Sequence, residues 1–355
     1  MLRPLLLVLT VTLLSGCCRR AAVSPTLATA QVPPAAPMAL QAELERLVTT
    51  FGAEHAGVAV HDLNEGWTAS VNGERPFAQQ SVFKTWLSVA VADAVDRGEL
   101  RWEDRLRVGP EDLVFPYQPI ARAVGPNGSE FTVEELVGWS VKVSDNPSTD
   151  VLTRRLGGPS AIQAVLERKG VSGIRIALDE RGLHALADAV RAETQGLEDA
   201  QARVRARLSA DPNGATPLET ARALAALHRG ELLSAKQTRK VLEIHAATET
   251  GPNRLKAGVP RGWRVAHKTG TGGEARGLSL GANDVGFITT PEGRTWAVAV
   301  FIAGTDRPLV EQERLIADVA RALGALAPEI RPSGPLQSQS VWPSSSPAGG
   351  TAWAR

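Results

Sequence analysis

The chain has 355 residues, of which 43% are hydrophobic and 22% charged, and its formal net charge is +1. This is the composition of a folded globular protein, with enough residues for one large domain or two modest ones. The near-zero charge, without a basic stripe interleaved with aromatic residues, excludes nucleic acid as an expected partner.

The first residues have the pattern of an export signal. Arg3 precedes an apolar run from Leu5 to Leu14 that is too short to span a bilayer. The run continues into Ser15-Gly16-Cys17, which resembles the bacterial lipobox, where the cysteine is lipidated and becomes the new N-terminus. We expect a signal peptide over 1–16 and an exported, periplasmic protein with a lipid anchor on Cys17, at the outer membrane if the host is diderm. An ordinary cleaved signal with incidental cysteines is the alternative.

The rest of the chain is predicted to hold one catalytic domain between two irregular segments. Residues 17–37 have the composition of a flexible tether, and the Ser/Pro/Gly-rich residues 329–355 that of a disordered tail. The domain itself is expected over 38–328. Because Cys17 and Cys18 are the only cysteines, the mature fold is predicted to lack an internal disulfide.

Hydrophobic periodicity predicts strands at both ends of this domain and helices between them. In chain order, the predicted elements are a helix over 39–51, a hairpin of strands 57–63 and 67–71, helices over 81–97, 133–143, 147–156 and 160–169, a helix-forming stretch over 183–208, helices over 217–229 and 234–247, strands over 263–268, 283–290 and 295–303, and a helix over 310–323. The terminal strands must share one sheet to bury their apolar faces, so the central helices are expected to form a second lobe.

Ser81 and Lys84 are the first candidate catalytic pair. Ser81 opens an amphipathic run and lies at a helix N-terminus, where free N–H groups favour negative charge. Lys84 follows one turn later on the same face, and its apolar neighbours favour a neutral amine that accepts a proton. A hydroxyl beside such an amine is a nucleophile–base pair. Ser-x-x-Lys occurs about once by chance in a chain this long, so an N-capping serine with a snorkelling lysine is the competing interpretation.

Two further motifs shift the balance toward catalysis. Ser144-Asp145-Asn146 lies in the turn between two predicted helices, and Lys268-Thr269-Gly270 ends a predicted strand. Each is expected by chance in roughly one chain of this length in twenty, or fewer. Both motifs, in this order after Ser-x-x-Lys, are a much stronger signal than any one of them.

With these residues the sequence resembles the penicillin-recognising serine enzymes, and most closely the class A β-lactamases. The likeness extends over about 38–323 and includes the segments 157–159, 248–255, 266–271 and 283–286. It implies an α/β (α+β) fold with two lobes, an antiparallel sheet flanked by helices and an all-helical lobe, with the site in the crevice between them. It also implies a monomeric serine β-lactamase that hydrolyses the β-lactam amide of penicillin- and cephalosporin-type antibiotics without a cofactor or metal.

The resemblance gives each motif residue a role. Ser81 would attack the lactam carbonyl, and its backbone N–H and that of Thr271 would form the oxyanion hole. Lys84 and Ser144 would relay protons, and Asn146 would hold the acyl-amide carbonyl. The substrate carboxylate would bind along one strand, at Lys268, Thr269, Gly270 and Thr271.

Glu180, in Leu178-Asp179-Glu180, is the implied general base for deacylation, with Asp179 as its rival. His184 lies four residues after Glu180, as in one branch of class A, and would contact substrate unless it is an incidental loop histidine. Tyr117 resembles the aromatic wall at the mouth of the site. Arg276 is either a second carboxylate anchor or a solvated loop arginine.

The sequence departs from the family in one long segment. Between Glu180 and Thr216 it has about 20 residues more than the family usually carries, which is unusual inside a compact domain. The inserted part, 185–208, has apolar residues at near-helical spacing and is predicted to brace or cover the site. If the base lies elsewhere, Glu193 and Glu198 are the candidates.

Two other functions share the first three motifs. One is a D-alanyl-D-alanine carboxypeptidase or other penicillin-binding enzyme, and the other is a non-hydrolytic β-lactam-binding domain. Both would lack the deacylating glutamate and would stay acylated by penicillin. The histidines show no metal-ligand spacing, so a metal-dependent lactamase is unsupported.

Overall fold

The computed structural model describes residues 34–326. The predicted signal peptide, the lipidation site Cys17, most of the tether and the C-terminal tail lie outside these residues. The helices are α1 (Met38–Phe51), α2 (Phe83–Asp96), α3 (Val133–Lys142), α4 (Asn146–Leu156), α5 (Pro159–Arg168), α6 (Glu180–Glu193), α7 (Ala200–Ser209), α8 (Pro217–His228), α9 (Ala235–Ala246), α10 (Leu255–Gly258) and α11 (Leu309–Leu326). The strands are β1 (Ala56–Asp62), β2 (Thr68–Val71), β3 (Phe77–Ala78), β4 (Arg105–Val108), β5 (Ser129–Thr132), β6 (Gly214–Ala215), β7 (Arg264–Thr271), β8 (Glu274–Ala275), β9 (Leu278–Ser279), β10 (Ala282–Thr289) and β11 (Thr295–Ile302).

Strands from the two ends of the domain share one antiparallel sheet, as the apolar patterns predict. Its order is β2-β1-β11-β10-β7. The N-terminal hairpin joins the C-terminal strands through β1 and β11, with Val58 opposite Val300. Strand β7, which carries the Lys268 motif, pairs on one side only, with Lys268 opposite Val285 of β10. The motif therefore lies on an edge strand, where it can face another part of the molecule.

Helices cover both faces of the sheet and build two hydrophobic clusters. On one face, α1 and α11 cover the sheet, and Leu44, Ile316 and Val300 belong to one buried cluster. On the other face, α8 packs against β1, β10 and β11 and α9 packs against β7, and α2, α3, α4 and α5 complete the helical lobe. Helix α2 is at the centre of this second cluster, and Phe83 and Trp86 are fully buried. The predicted sheet and helical lobe are confirmed.

The inserted segment differs from its prediction as one helix-forming stretch. It forms two helices, α6 and α7, and α6 begins at Glu180, three residues before the predicted start. The chain leaves helical geometry at Thr194, and Gly196 has a left-handed φ of 72°. Leu197, predicted on the apolar face, lies between the helices and is 41% exposed, whereas Val204 is fully buried.

Short extended segments were missed by the periodicity. They are the two- to four-residue strands β3, β4, β5, β6, β8 and β9, which pair in three separate two-stranded sheets. Strands this short contain too few residues for an alternating pattern to appear. None of the helices within residues 34–326 combines the length and the hydropathy that a membrane span requires.

Candidate active site

Ser81 lies in a single 3-10 turn, Gln80–Val82, that runs directly into α2. The preceding residue, Gln80, has a left-handed φ of 49°, which costs conformational energy in a non-glycine residue. The turn is held against the sheet by Asn283 of β10, whose Nδ2 donates to the carbonyl oxygens of Ala78 and Gln79 at 2.9 and 3.0 Å. Ser81 is therefore held in place by the sheet as well as by the helix that follows it.

Lys84 is fully buried, and its amine is surrounded by oxygen atoms. Nζ donates to the carbonyl oxygen of Ser144 at 2.8 Å and to Oδ1 of Asn146 at 2.7 Å. It also lies 2.9 Å from Oε1 of Glu180, in the geometry of an ion pair and not of a well-aligned hydrogen bond. The structure thus brings Ser144, Asn146 and Glu180 around the Nζ atom of Lys84.

Ser144 connects this amine to a second one. Its backbone has a left-handed φ of 62°, another strained position for a non-glycine residue. The Nζ of Lys268 donates to its hydroxyl at 2.9 Å, and Lys84 Nζ lies 3.4 Å from the same oxygen. A hydroxyl between two amines can accept a proton from one side and pass one on from the other.

Lys268 is fully buried, and this burial lowers the pKa of its amine well below the ordinary value for lysine. The nearby Lys84 charge lowers it further, while the carboxylates of Glu180 and Asp284 act in the opposite direction. Its Nζ also donates to the carbonyl oxygen of Thr269 at 2.8 Å. An anionic ligand group would stabilise the ammonium form of such an amine.

The buried carboxylate of Asp145 places Asn146 at the first position of α4. It accepts hydrogen bonds from the backbone N–H groups of Ile120 and Ser148, both at 2.8 Å, and caps the helix. Burial raises the pKa of Asp145. Asn146 then points its amide toward the site, with Nδ2 lying 3.2 Å from Nε2 of His184.

Glu180 is held by acceptors that cap the start of α6. The carboxylate of Asp150 accepts from the backbone N–H groups of Glu180 and Arg181, at 2.8 and 3.2 Å. Asp179 is the N-cap and accepts from Gly182 N–H at 2.8 Å. Asp179, the alternative to Glu180 as the predicted base, is therefore occupied as a helix cap, and Glu180 is the acid that contacts Lys84.

The crowding of carboxylates at this helix start affects Asp150. Burial, together with the nearby charge of Asp179, raises the pKa of Asp150 to about 7. The segment before Glu180 is fixed by a neutral group instead, because Oδ1 of Asn213 accepts from the N–H groups of Ala177 and Leu178, both at 2.9 Å. Glu180 is thus positioned by hydrogen bonds more than by apolar packing.

These groups line a cleft of about 760 Å³, a size that suits a small organic ligand. Eight predicted site residues lie on its walls: Ser81, Tyr117, Ser144, Asn146, Glu180, His184, Thr269 and Thr271. Lys84 and Lys268 are buried beneath it and reach it through Ser144. Tyr117 is half-exposed and donates its hydroxyl to the carbonyl oxygen of Val143 at 2.9 Å.

Gly270 contributes through its backbone and its lack of a side chain. A Cβ atom there would lie 2.5 Å from the carbonyl oxygen of Gln79, so only glycine lets β7 approach the turn that carries Ser81.

Within residues 34–326, no group of three or more His, Cys, Asp or Glu side chains is placed to hold a metal ion.

Two arginines differ from the sequence prediction. Arg276 does not reach the cleft. It lies in the turn between β8 and β9, and its guanidinium contacts the end of α6. Arg254, which was not predicted as a site residue, lines the cleft and is 3% exposed. Its Nη2 donates to Oγ1 of Thr271 at 2.8 Å. The signal for Arg254 was its place in the family-like segment 248–255.

Known proteins resemble the chain over the part that forms this site. A family model described as the Beta-lactamase enzyme family matches residues 39–326. The chain is 32% identical to β-lactamase VEB-1 of Pseudomonas aeruginosa over 268 residues, which cover 75% of this chain and 83% of that protein. It is 31% identical to extended-spectrum β-lactamase PER-1 of the same organism, over 75% of this chain and 80% of that protein. A crystal structure of a β-lactamase from Chitinophaga pinensis superposes with a TM-score of 0.72 at 30% identity, covering 81% of this chain and 99% of that one.

Proposed function

Because the chain belongs to the Beta-lactamase enzyme family and is a class A serine β-lactamase, which hydrolyses β-lactams, we propose that it does so through an acyl-enzyme on Ser81. Water activated by Glu180 then releases the product. The observation that carries this proposal is the placement of the Glu180 carboxylate 2.9 Å from Lys84 Nζ, on the wall of the cleft that Ser81 also lines.

In the acylation step, Ser81 Oγ forms a bond to the lactam carbonyl carbon. The Ser81 proton passes to Lys84, and the backbone N–H groups of Ser81 and Thr271 stabilise the negative oxygen. The lactam C–N bond then breaks. The contact of Ser144 with both Lys84 and Lys268 supports its role in passing a proton to the leaving nitrogen. The product is an ester of Ser81 with an opened ring.

In the deacylation step, Glu180 accepts a proton from water, whose oxygen attacks the ester carbonyl. The ester bond breaks, and Ser81 Oγ recovers a proton, so that one water is consumed for each lactam opened. Glu180 Oε1 lies beside Lys84, so the proton taken from water has a direct path to the network that serves Ser81.

The substrate carboxylate is proposed to bind at the end of β7. Thr269 and Thr271 line the cleft there and offer hydroxyl groups, and the buried Lys268 supplies charge from below. Arg254 adds a second cation beside Thr271. On the opposite side, Asn146 is proposed to hold the acyl-amide carbonyl of the substrate.

The carboxypeptidase and the non-hydrolytic binding domain are less well supported. Both predict a site without a carboxylate beside the nucleophile's lysine, whereas Glu180 occupies that place. The β-lactamase relatives and the match to their family model support the same choice.

Glu180→Gln tests the proposal. We expect the variant to be acylated by benzylpenicillin at nearly the wild-type rate and to remain acylated, with a decrease in kcat of about 10²–10⁴-fold. Intact-protein mass spectrometry measures the adduct, and a chromogenic cephalosporin measures turnover. Glu193→Gln is the matched control, because Glu193 lies on the same helix but is half-exposed and paired with Arg207. Undiminished turnover in Glu180→Gln would place the base elsewhere.

We also propose that the mature enzyme is a monomer, exported to the periplasm and anchored through a lipid on Cys17. The lipobox-like residues Leu14 to Cys17 support the anchor. The closed arrangement of every proposed catalytic group within one chain supports activity as a monomer.

A further inference from the structure

We propose that Arg276 is a positioning residue for Glu180, because its guanidinium fastens the far end of helix α6 to the hairpin β8–β9. The inference rests on the proposed role of Glu180 as the base. It concerns the inserted segment, which the family resemblance leaves without a role.

Helix α6 has little apolar packing of its own. Glu180 and Val190 are its only buried residues, while Leu183, Leu186 and Ala187 are partly buried against the core. The face toward the cleft carries the polar residues His184, Asp188 and Arg191. A helix packed this sparsely depends on contacts at its two ends to hold its direction.

The N-terminal end is held by Asp150 and Asp179, and the C-terminal end by a group that we call the α6 clasp: Arg191, Thr194, Glu274 and Arg276. Arg276 Nη2 donates to the carbonyl oxygen of Arg191 at 2.5 Å, and Nε donates to Thr194 Oγ1 at 3.3 Å. In the reverse direction, Arg191 Nε donates to the carbonyl oxygen of Glu274 at 3.0 Å. The clasp therefore joins the two elements with bonds donated from both sides.

The clasp also has the charge that a helix end favours. The last carbonyl oxygens of a helix have no partner within it and carry partial negative charge, so a cation that donates to them stabilises the end. Arg276 supplies such a cation from outside the helix. Arg191 passes beside Gly273, where a Cβ atom would lie 2.8 Å from its Nη2.

The backbone conformation of the β8–β9 turn indicates that Arg276 does more than form the turn. Ala275 pairs with Leu278, so the loop has two residues, and both Arg276 and Gly277 have left-handed φ values, 53° and 74°. A two-residue turn of this kind favours Asn, Asp or Gly at its first position. An arginine at this position has a strained backbone. Its contacts with α6 explain why an arginine is present despite this strain.

The link from the clasp to the base is the helix itself. Because Glu180 is the first residue of α6, any change in the direction of α6 moves the Glu180 backbone relative to Ser81 and Lys84. The helix is 14 residues long, or about 20 Å. A small rotation of its C-terminal end at the clasp therefore displaces Glu180 at its N-terminal end. A displacement of about 1 Å at a catalytic group can cost up to about 10²-fold in rate.

Arg276→Asn is the sharpest test, because asparagine suits the turn while removing the guanidinium. We expect kcat for benzylpenicillin to fall about three- to tenfold through slower deacylation. Since acylation is unaffected, KM should fall by the same factor, kcat/KM should stay constant, and acyl-enzyme should accumulate in rapid-quench mass spectrometry. The melting temperature should stay within about 2 °C of wild type. Arg276→Lys, which keeps a cation, should recover part of kcat.

Two results would overturn the role of Arg276: an unchanged kcat, or an equal fall of kcat and kcat/KM with a lowered melting temperature, which would indicate a purely structural residue. Arg203→Ala serves as the control, since this exposed arginine of α7 forms its ion pair with Asp199 of the same helix end and should change neither constant. Glu180→Gln, measured in parallel, separates the two hypotheses. If Glu180→Gln traps the acyl-enzyme while Arg276→Asn does not slow deacylation, the role of Glu180 as the base is supported and the positioning role of Arg276 is rejected.

Discussion

Helices α2 and α6 are both 14 residues long, and each carries a residue of the Lys84–Glu180 pair in its first turn. Twelve residues of α2 are buried, whereas in α6 only two are. Helix α2 is therefore held by apolar packing around its whole circumference, and a fully buried Phe or Leu contributes about 1.5–3 kcal/mol. Helix α6 is held by hydrogen bonds to its ends, each with a net worth of about 0.5–1.5 kcal/mol.

This difference separates the two halves of the proposed reaction. Lys84, which serves acylation, is part of the core, so its substitution is expected to lower stability. The proposed base for deacylation is the first residue of α6, a helix that runs into the inserted segment and is positioned by polar contacts, so substitutions there can change turnover while the protein stays folded. Substitutions at the Lys84–Glu180 pair, which joins the two helices, test this separation most directly.

Lys84→Met should have the largest effect. Methionine fills the space of the lysine stem but leaves the Glu180 carboxylate, whose side chain is 6% exposed, without its cation. Breaking a buried ion pair from one side costs about 3–5 kcal/mol, and loss of the proton relay should slow acylation by at least about 10²-fold. Urea denaturation and the rate of adduct formation by mass spectrometry measure the two effects.

The double variant Lys84→Met with Glu180→Gln is the control for the stability effect. Because it removes both charges, it should be more stable than Lys84→Met while remaining inactive. If the single and double variants were equally stable, the ion pair would not be what couples α2 to α6.

Asp150→Asn should have an intermediate effect that depends on pH. The pKa of Asp150 is about 7 in the folded protein and about 3.9 in an unfolded chain. Between these values the folded protein binds the extra proton, so rising pH lowers the free energy of unfolding of the wild type, by a few kcal/mol in total. Asparagine cannot ionise, so between pH 4.5 and 8 the variant should gain that amount relative to wild type.

At pH 4.5, Asp150→Asn should instead be less stable than wild type by about 1–2 kcal/mol, because even a protonated carboxyl keeps acceptor capacity on both oxygens, whereas an amide offers one acceptor for the two N–H groups of Glu180 and Arg181. Urea denaturation at several pH values gives both numbers. Asp199→Asn, at the exposed start of α7, is the control and should leave the pH dependence of the free energy of unfolding close to that of wild type. Parallel curves for Asp150→Asn and wild type would show that Asp150 does not titrate in this range.

The contrast between α2 and α6 also explains which features the sequence could predict. Ser81 and Lys84 were predictable because the motif, the helix and the buried face all lie within one short segment. The capping box of α3 was predictable for the same reason, and Thr132 and Glu135 form both of its bonds. Glu180 was identified through the family resemblance, since its contact with Lys84 joins residues 96 positions apart in the chain.

The features that were not predicted depend on contacts distant in sequence. Arg254 lies at the cleft because its Nη1 donates to the carbonyl oxygens of Gly270 and Asn283, on two different strands. Arg276 was predicted only as an anchor for substrate or a solvated residue, because its contact with α6 requires a two-residue turn and a helix end that periodicity does not locate. Apolar patterns indicate which residues are buried, but they do not show which groups a polar side chain contacts.

The smallest predicted effect concerns His184, whose ring on α6 meets Asn146 on α4. The Asn146 amide has a partner on each side: Lys84 Nζ donates to its Oδ1 at 2.7 Å, and its Nδ2 lies 3.2 Å from His184 Nε2. In His184→Ala the Lys84 bond still orients the amide, so one neutral hydrogen bond is lost and kcat/KM for benzylpenicillin should fall about two- to fivefold. His184→Gln, which keeps an acceptor, is the matched control and should lose less. Steady-state kinetics measure both. A fall of more than about 50-fold in His184→Ala would mean that α6 supplies a second group to the chemistry, and the separation between a packed acylation half and a hydrogen-bonded deacylation half would no longer hold.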